Sequence, residues 1–258
     1  MTQPRPEMPA EMPATLRPEV LRLGLDALVV RFATSFSAPA NRAARALAAD
    51  LDRAPLPGQC EVAPGLGSVL IRFARSETSA EALQAALLAR LAAPQTPDPE
   101  AAAETGRRWT VPAAFGGAAG PHLAELAQTL NRTEAALIAE LCATELQVLA
   151  LGFAPGQPYL GLLPEPWQVP RRATLTPRVA PGAITAALRQ IVLFAAPSPT
   201  GWHVLGRAAL RPFAPEASRP FLLSPGDRLR FQPADAAEID ALAAKGDPAG
   251  GAKLDFLK

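Results

Sequence analysis

The segment Gly152-Phe153-Ala154-Pro155-Gly156-Gln157-Pro158-Tyr159-Leu160-Gly161 decides the fold of the carboxyl-terminal half. Its prolines and glycines cannot continue a helix, and prolines and glycines recur among the apolar runs on either side of it. These short runs are Gln147 to Phe153, Thr185 to Phe194, Trp202 to Leu205, Leu222 to Leu223, and Leu229 to Phe231. Short apolar runs bounded by turn residues are typical of an all-β barrel or sandwich.

The amino-terminal part alternates between strand and helix patterns. A strand is predicted at 25–32, followed by a helix at 39–53 with apolar residues at helical spacing. Two further strands at 60–64 and 68–73 are joined through Gly65 and Gly67, and Ser79 caps a helix at 80–91. This order predicts a compact α+β unit.

Composition shifts divide the chain into five parts. Residues 1–18 are rich in proline and predict a disordered, dispensable leader, and 93–107 have the composition of a linker. The α+β domain is assigned to 19–92 and the mainly-β domain to 108–234. The mainly-β domain begins with a strand at 108–112 and helices at 121–130 and 133–141, and a peripheral tail is assigned to 235–258.

Charge and cysteine content exclude several classes of function. The 258 residues carry a net charge of +1, which gives no field for binding nucleic acid. Two cysteines and two histidines supply neither a disulfide framework nor the spacing of a metal site. Arginines and prolines interrupt every apolar stretch of about 18 residues, so no membrane association and a cytoplasmic location are expected.

Three dense motifs carry a resemblance to a known family: residues 152–161, Val169 to Thr174, and Pro199 to Arg207. In this order they resemble the carboxyltransferase-domain family, which includes the B-type component of bacterial 5-oxoprolinase, the kinase inhibitor KipI, allophanate hydrolase subunit 1 and half of the urea carboxylase carboxyltransferase domain. The resemblance spans about Arg17 to Pro233. It implies an α+β amino-terminal domain followed by a mainly-β cyclophilin-like barrel domain.

The resemblance also implies a reaction and partners. Members of the 5-oxoprolinase branch open the lactam of 5-oxoproline to glutamate with ATP, for which Mg²⁺ is expected. The implied partners are a homologous cyclophilin-like subunit, the C-type component of 5-oxoprolinase, which shares the site, and a third lactam-utilisation subunit. A urea or carboxybiotin carboxyltransferase-like half and a non-catalytic inhibitor of histidine kinases of the KipI type are the alternatives.

The family motifs assign roles to seven residues. Catalytic roles fall to His203, Arg207 and Gln190, and substrate binding falls to Arg171, Arg172, Tyr159 and Pro158. A guanidinium binds an oxyanion through two parallel hydrogen bonds, and an imidazole transfers protons near neutral pH. For any one arginine a surface ion pair is an equally good interpretation, His203 is equally compatible with core packing, and packing is favoured for Tyr159.

Six residues depart from the family pattern, among them Gln157 and Leu146, which stand where aromatic residues are usual. Leu188 and Arg189 stand where glycines usually let the backbone approach a ligand, His122 replaces an aspartate, and Leu141 replaces a histidine. Leu141 cannot transfer a proton. These departures raise the inhibitor alternative, and they keep a divergent active site or a lost activity as further alternatives.

Overall fold

The computed structural model describes residues 17–92 and 106–257. Most of the predicted leader and of the predicted linker lies outside these residues. The chain divides into two compact units, Met1–Ala63 with Gly67–Gln95, and Pro64–Leu66 with Thr96–Lys258. No helix in the described ranges has the length and apolar character needed to cross a membrane.

The first unit combines one sheet with two helices. Its sheet has the strand order β1-β2-β4-β3. The strands are β1 (Glu19–Leu23), β2 (Ala27–Arg31), β3 (Gln59–Pro64) and β4 (Ser68–Phe73), and the helices are α1 (Ala38–Arg53) and α2 (Ala80–Ala92). Each element predicted for this part is present, and β1 is an additional edge strand that the sequence pattern did not predict.

Local sequence explains where the two helices of the first unit begin. The Ser37 hydroxyl accepts a hydrogen bond from the Ala40 amide at 3.1 Å, and Ser79 does the same for Ala82 at 3.1 Å. The buried faces of α1 and α2 then cover the apolar side of the sheet, in a core cluster that includes Leu28, Val30, Leu47, Leu51, Val69, Ile71, Leu83 and Leu87.

The second unit is built around a closed barrel of seven strands. The strands follow the order β12-β9-β10-β7-β6-β13-β5, and β5 pairs with β12 to close the ring. Their bounds are β5 (Arg107–Phe115), β6 (Leu146–Leu151), β7 (Pro158–Gly161), β9 (Ala183–Ala187), β10 (Gln190–Leu193), β12 (His203–Ala208) and β13 (Arg228–Pro233). The structure therefore confirms a mainly-β barrel and decides against the sandwich.

Gly206 makes the closure of the barrel possible. It pairs with Phe115 across the β12–β5 ladder, where a Cβ would collide with the Ala114 carbonyl and lie 2.7 Å from the Phe115 ring. Any larger residue would push the two strands apart. The motif glycine at this position is thus required by the close approach of two backbones.

The remaining elements lie outside the barrel wall. Helices α3 (Leu123–Thr129) and α4 (Glu134–Ala143) precede β6, and β8 (Thr176–Val179) pairs with β11 (Ser198–Thr200) in a separate two-stranded sheet. The segment assigned to a peripheral tail contains α5 (Ala236–Ala244) and β14 (Lys253–Phe256). Ile239 of α5 is fully buried and β14 pairs with β5, so this segment packs on the barrel.

The strand alternation gives the barrel wall two apolar faces. Leu160, Ile191, Leu193 and Leu205 point into the large core that fills the barrel. Their neighbours in sequence point outward into a second apolar cluster, consisting of Val179, Ala183, Ala187, Val192, Phe194, Trp202 and Val204, with Tyr159 against it. Tyr159, Val192, Phe194 and Trp202 of this cluster line the cleft described next, whereas Val179, Ala183 and Val204 line a second cavity.

Candidate functional site

A cleft of about 290 Å³ lies on the outer face of the barrel. Three of the predicted substrate-binding residues, Tyr159, Arg171 and Arg172, line it together. The other lining residues are Phe153, Gln157, Leu175, Val192, Phe194, Pro199, Thr200, Gly201 and Trp202. The cleft is therefore mainly apolar and aromatic, with cationic groups at its wall, which is the usual composition of a small-molecule site.

Arg171 is the free cation of the cleft. Its guanidinium lies 5.7 Å from the centre of the Trp202 ring, and it makes no hydrogen bond or ion pair with the residues that the structure describes. Tyr159 packs edge-on against the same indole, with 6.2 Å between ring centres. Burial raises the pKa of Tyr159 and Arg171 opposes that shift, so the phenol stays protonated near neutral pH.

Arg172 is held by its neighbours. Its guanidinium pairs with Glu125 at 3.3 Å and donates to the Thr174 carbonyl at 3.4 Å, while its amide donates to the Gly201 carbonyl at 2.6 Å. The buried Nε of this side chain has no hydrogen-bond partner in the described part of the chain. Arg172 thus keeps one unused donor beside the cleft.

His203 is buried in the adjoining wall. Its Nε2 lies 3.2 Å from the Pro170 carbonyl, which can only accept a hydrogen bond, so Nε2 carries the proton in the neutral ring. The buried Nδ1 is then an acceptor, and it has no partner among the described residues. His203 is 7% exposed and does not line the cleft. Its unused Nδ1 is compatible with a proton-transfer role, and its burial is compatible with a packing role.

His122, one of the residues expected to depart from the family pattern, has a structural partner. Its Nδ1 accepts a hydrogen bond from the Val204 amide at 2.9 Å, and its own amide donates to the Val204 carbonyl at 3.0 Å. Burial lowers the pKa of His122, Arg172 and His203 lower it further, and Glu125 opposes them. The ring is therefore neutral near pH 7 and ties the start of α3 to β12.

Arg207 lies at a different cavity. A bulge between Val204 and Gly206 shifts the register of β12, and Arg207 lines a cavity of about 410 Å³ beside α5. There it pairs with Asp240 at 2.7 Å and donates to the Ala236 carbonyl at 3.0 Å. The structure does not bring Arg207 together with Arg171 and Arg172.

Gln190 and Pro158 are strand residues of the barrel wall. Gln190 is 8% exposed and lies opposite Gly161 and Ala187 in the two neighbouring strands, and Pro158 is buried opposite Leu151. Neither residue lines the cleft. The structure thus divides the seven predicted residues among the cleft, the wall beside it and the second cavity.

The turn before Gln190 keeps the backbone shape that glycines usually provide. Leu188 and Arg189 connect β9 to β10 with φ values of 53° and 65°. Positive φ at both central positions is typical of the tight turn that joins two antiparallel strands. Leu188 and Arg189 therefore form a regular hairpin turn and place two side chains at its tip.

Phe153 is the main cleft residue that the motifs did not assign to the site. Its ring is 75% exposed, and its backbone has a φ of 70°. Its position in the quoted motif was visible, but neither its exposure nor its backbone conformation could be read from the sequence. Fold and cleft together define a mainly-β barrel protein with a small-molecule-sized site on the outer barrel wall.

The comparison with family models agrees with the fold and the motifs. Residues 18–223 match the model described as carboxyltransferase domain, subdomain C and D. The chain belongs to this carboxyltransferase-domain family, which confirms the resemblance drawn from the three motifs.

Curated relatives are named as the B-type component of 5-oxoprolinase. The protein of Escherichia coli O157:H7 is 38% identical over 123 residues, which cover 48% of this chain and 56% of the relative. The protein of Bacillus subtilis is 28% identical over 224 residues, which cover 84% of this chain and 93% of the relative. The match thus spans little more than half of the first relative and nearly all of the second.

Solved structures show the same fold. The crystal structure of TTHA0988 is 32% identical with a TM-score of 0.70, and the match covers 82% of this chain and 40% of that one. The urea amidolyase of Kluyveromyces lactis has a TM-score of 0.75 at 18% identity, covering 97% of this chain and 17% of that one. The second similarity concerns the fold alone.

Proposed function

We propose that this protein is a subunit of an ATP-dependent amidohydrolase of the 5-oxoprolinase type, which opens the lactam of 5-oxoproline to glutamate. The observation that carries the proposal is the cleft, where the Arg171 guanidinium has no partner among the described residues and lies above an aromatic and apolar floor. Such a site suits a small ring that bears a carboxylate. The similarity to the B-type component of 5-oxoprolinase supports the same substrate class.

In this proposal the residues of the chain bind and orient the lactam. Arg171 pairs with the substrate carboxylate, and Trp202 and Tyr159 contact the faces of the ring. The unused Nε of Arg172 supplies one donor beside the cleft. The reaction breaks the C–N bond of the lactam, water supplies the hydroxyl group of the new carboxylate, and the nitrogen becomes the amino group of glutamate.

The predicted ATP and Mg²⁺ do not fit this cleft. Its described lining has no carboxylate, whereas protein-bound Mg²⁺ is held by one or two carboxylates in addition to phosphate oxygens. Within 17–92 and 106–257 no three or more His, Cys, Asp or Glu side chains are grouped so that they could hold a metal ion. We therefore propose that the nucleotide is bound by the partner subunits, a homologous cyclophilin-like subunit and a third lactam-utilisation subunit.

The test is reconstitution of the complex. The chain is co-expressed with the two proposed partner subunits, purified as a complex, and assayed for glutamate release from 5-oxoproline with and without ATP. We expect release that needs ATP and every subunit, and that falls at least tenfold in Arg171→Ala. Arg178→Ala is the control, because Arg178 is exposed and lines the other cavity.

Two outcomes would replace the proposal by its alternatives. Transfer of a carboxyl group from carboxybiotin, without glutamate release, would assign the chain to the carboxyltransferase-like half. Binding to a sensor histidine kinase with inhibition of its autophosphorylation, and no lactam hydrolysis, would assign it to the inhibitor class.

A further inference from the structure

Phe153 has a conformation that local energetics do not explain. A bulky side chain at a φ of 70° brings its Cβ close to its own backbone, which costs free energy that glycine or asparagine largely avoids. The ring is 75% exposed, so apolar burial within the chain does not compensate for this cost. A strained residue that gains little from packing is a candidate for a role in binding.

The loop that carries Phe153 is fixed at both ends. The Gly152 amide donates to the Gln157 carbonyl at 3.0 Å, and the Gln157 amide donates to the Ala154 carbonyl at 3.1 Å. The side chain of Gln157 is 2% exposed and accepts a hydrogen bond from the Ala195 amide at 3.4 Å. The position of the Phe153 backbone is therefore set by the loop around it.

Phe153 lines the cleft together with the free cation. The lining also includes Arg171, Tyr159, Phe194 and Trp202, so the guanidinium of Arg171 and four aromatic side chains surround a space of about 290 Å³. A ligand that complements this lining carries an anionic group for Arg171 and presents flat apolar faces to the aromatic rings. A planar ring with one carboxylate has this chemistry.

We propose that Phe153 is a binding residue of this cleft, whose ring covers one face of a small planar carboxylate that pairs with Arg171. The inference rests on the proposed function in placing the substrate in the same cleft. It goes further by assigning the residue that closes the cleft, and by giving the reason why a strained backbone is kept there.

The chain supplies a matched control for the test. Leu188 is also exposed, at 42%, and also has a positive φ, of 53°, but it does not line the cleft. Both Phe153→Gly and Leu188→Gly remove an exposed apolar side chain and relieve backbone strain. Only Phe153→Gly removes a wall of the cleft.

The experiment measures binding of two probes, 5-oxoproline and benzoate, by calorimetry to the full chain, alone and in the assembled complex. We expect at least tenfold weaker binding of both probes to Phe153→Gly, unchanged binding to Leu188→Gly, and a melting temperature of both variants at or above that of the unmodified protein. Phe153→Tyr keeps the ring and is expected to bind both probes within about threefold of the unmodified protein.

The outcomes separate this inference from the proposed function. Unchanged binding of both probes to Phe153→Gly overturns the inference, and so does a result in which neither probe binds to the unmodified protein. If benzoate binds in a Phe153-dependent manner and 5-oxoproline does not bind, the inference holds and the proposed substrate is wrong. If 5-oxoproline binds equally well without the ring, the substrate holds and the inference is wrong.

Discussion

Replacement of Asp227 by alanine is expected to destabilise the barrel severely. Asp227 is fully buried, and its Oδ2 accepts hydrogen bonds from the Trp109 indole at 3.1 Å and the Ser224 amide at 3.0 Å. The same oxygen lies 3.4 Å from the guanidinium of Arg107, whose side chain is 13% exposed. One carboxylate oxygen therefore joins the first barrel strand to the turn that precedes β13.

The size of the destabilisation follows from the groups that lose the Asp227 oxygen as their hydrogen-bond acceptor or counter-charge. The buried Trp109 indole loses its acceptor, at about 1–3 kcal/mol, the half-buried Ser224 amide loses its acceptor as well, and Arg107 loses its buried counter-charge. Breaking a buried pair in this way costs about 3–5 kcal/mol, a large part of the stability of a typical domain. Asp227→Asn keeps an oxygen for the two donors and loses only the charge, at about 1–2 kcal/mol.

Urea unfolding followed by tryptophan fluorescence measures this effect, because all three tryptophans lie in the barrel unit. Asp255→Ala is the control, since Asp255 forms an exposed pair with Arg108 at 3.5 Å and is expected to change the free energy of unfolding by less than about 1 kcal/mol. An Asp227→Ala protein within about 1 kcal/mol of the unmodified protein would refute the argument.

Three further predictions concern titration, thiol reactivity and the two cavities. Burial lowers the pKa of His122 in the folded protein, so as the pH falls below about 6.5 this histidine is protonated in the unfolded chain before it is protonated in the folded one. Protonation therefore favours the unfolded state, and the free energy of unfolding decreases as the pH falls. Urea unfolding from pH 7.5 to 5.5 should show this loss, and His122→Asn, which keeps an acceptor for Val204, should show less of it; equal slopes would contradict the assignment. Burial raises the pKa of Cys142 to about 11. Maleimide at neutral pH should therefore label the exposed Cys60 and leave Cys142 unlabelled until the protein unfolds. Mass spectrometry of the peptides shows which cysteine is labelled. Arg171→Ala should weaken 5-oxoproline binding at least tenfold while Arg207→Ala leaves it unchanged, because only Arg171 lines the cleft; calorimetry that finds the reverse would place the site in the second cavity.

Helices and strands that are set by residues close together in the sequence could be predicted from the sequence. The helix predicted at 39–53 follows from its apolar spacing, and the barrel strands follow from short apolar runs between prolines and glycines. The segment from 236 to 257 was harder, because its alanine-rich composition carries a weak apolar signal. Its helix is fixed by the burial of Ile239 against the barrel, and its strand by pairing with β5.

The composition of the candidate site was only partly accessible. The motifs contained Tyr159, Arg171 and Arg172, which the structure collects in one cleft, and they also contained Arg207, which lies elsewhere. Nothing in the sequence marks the bulge in β12, after which Arg207 lies opposite Ala183 and lines the second cavity. The exposure of Phe153 could not be predicted from the sequence either, because it depends on which parts of the folded chain cover the loop.

The sequence by itself determined the family, the kinds of elements and their order, since these depend on motifs and on residues near one another in the chain. Only the tertiary structure decided which side of the barrel wall each side chain faces. Successive residues of a strand point to opposite faces, so a single bulge or a shift of one residue in pairing moves a side chain from one site to another. That register is set by hydrogen bonds and packing between strands far apart in the sequence, such as Arg207 of β12 beside Ala114 of β5.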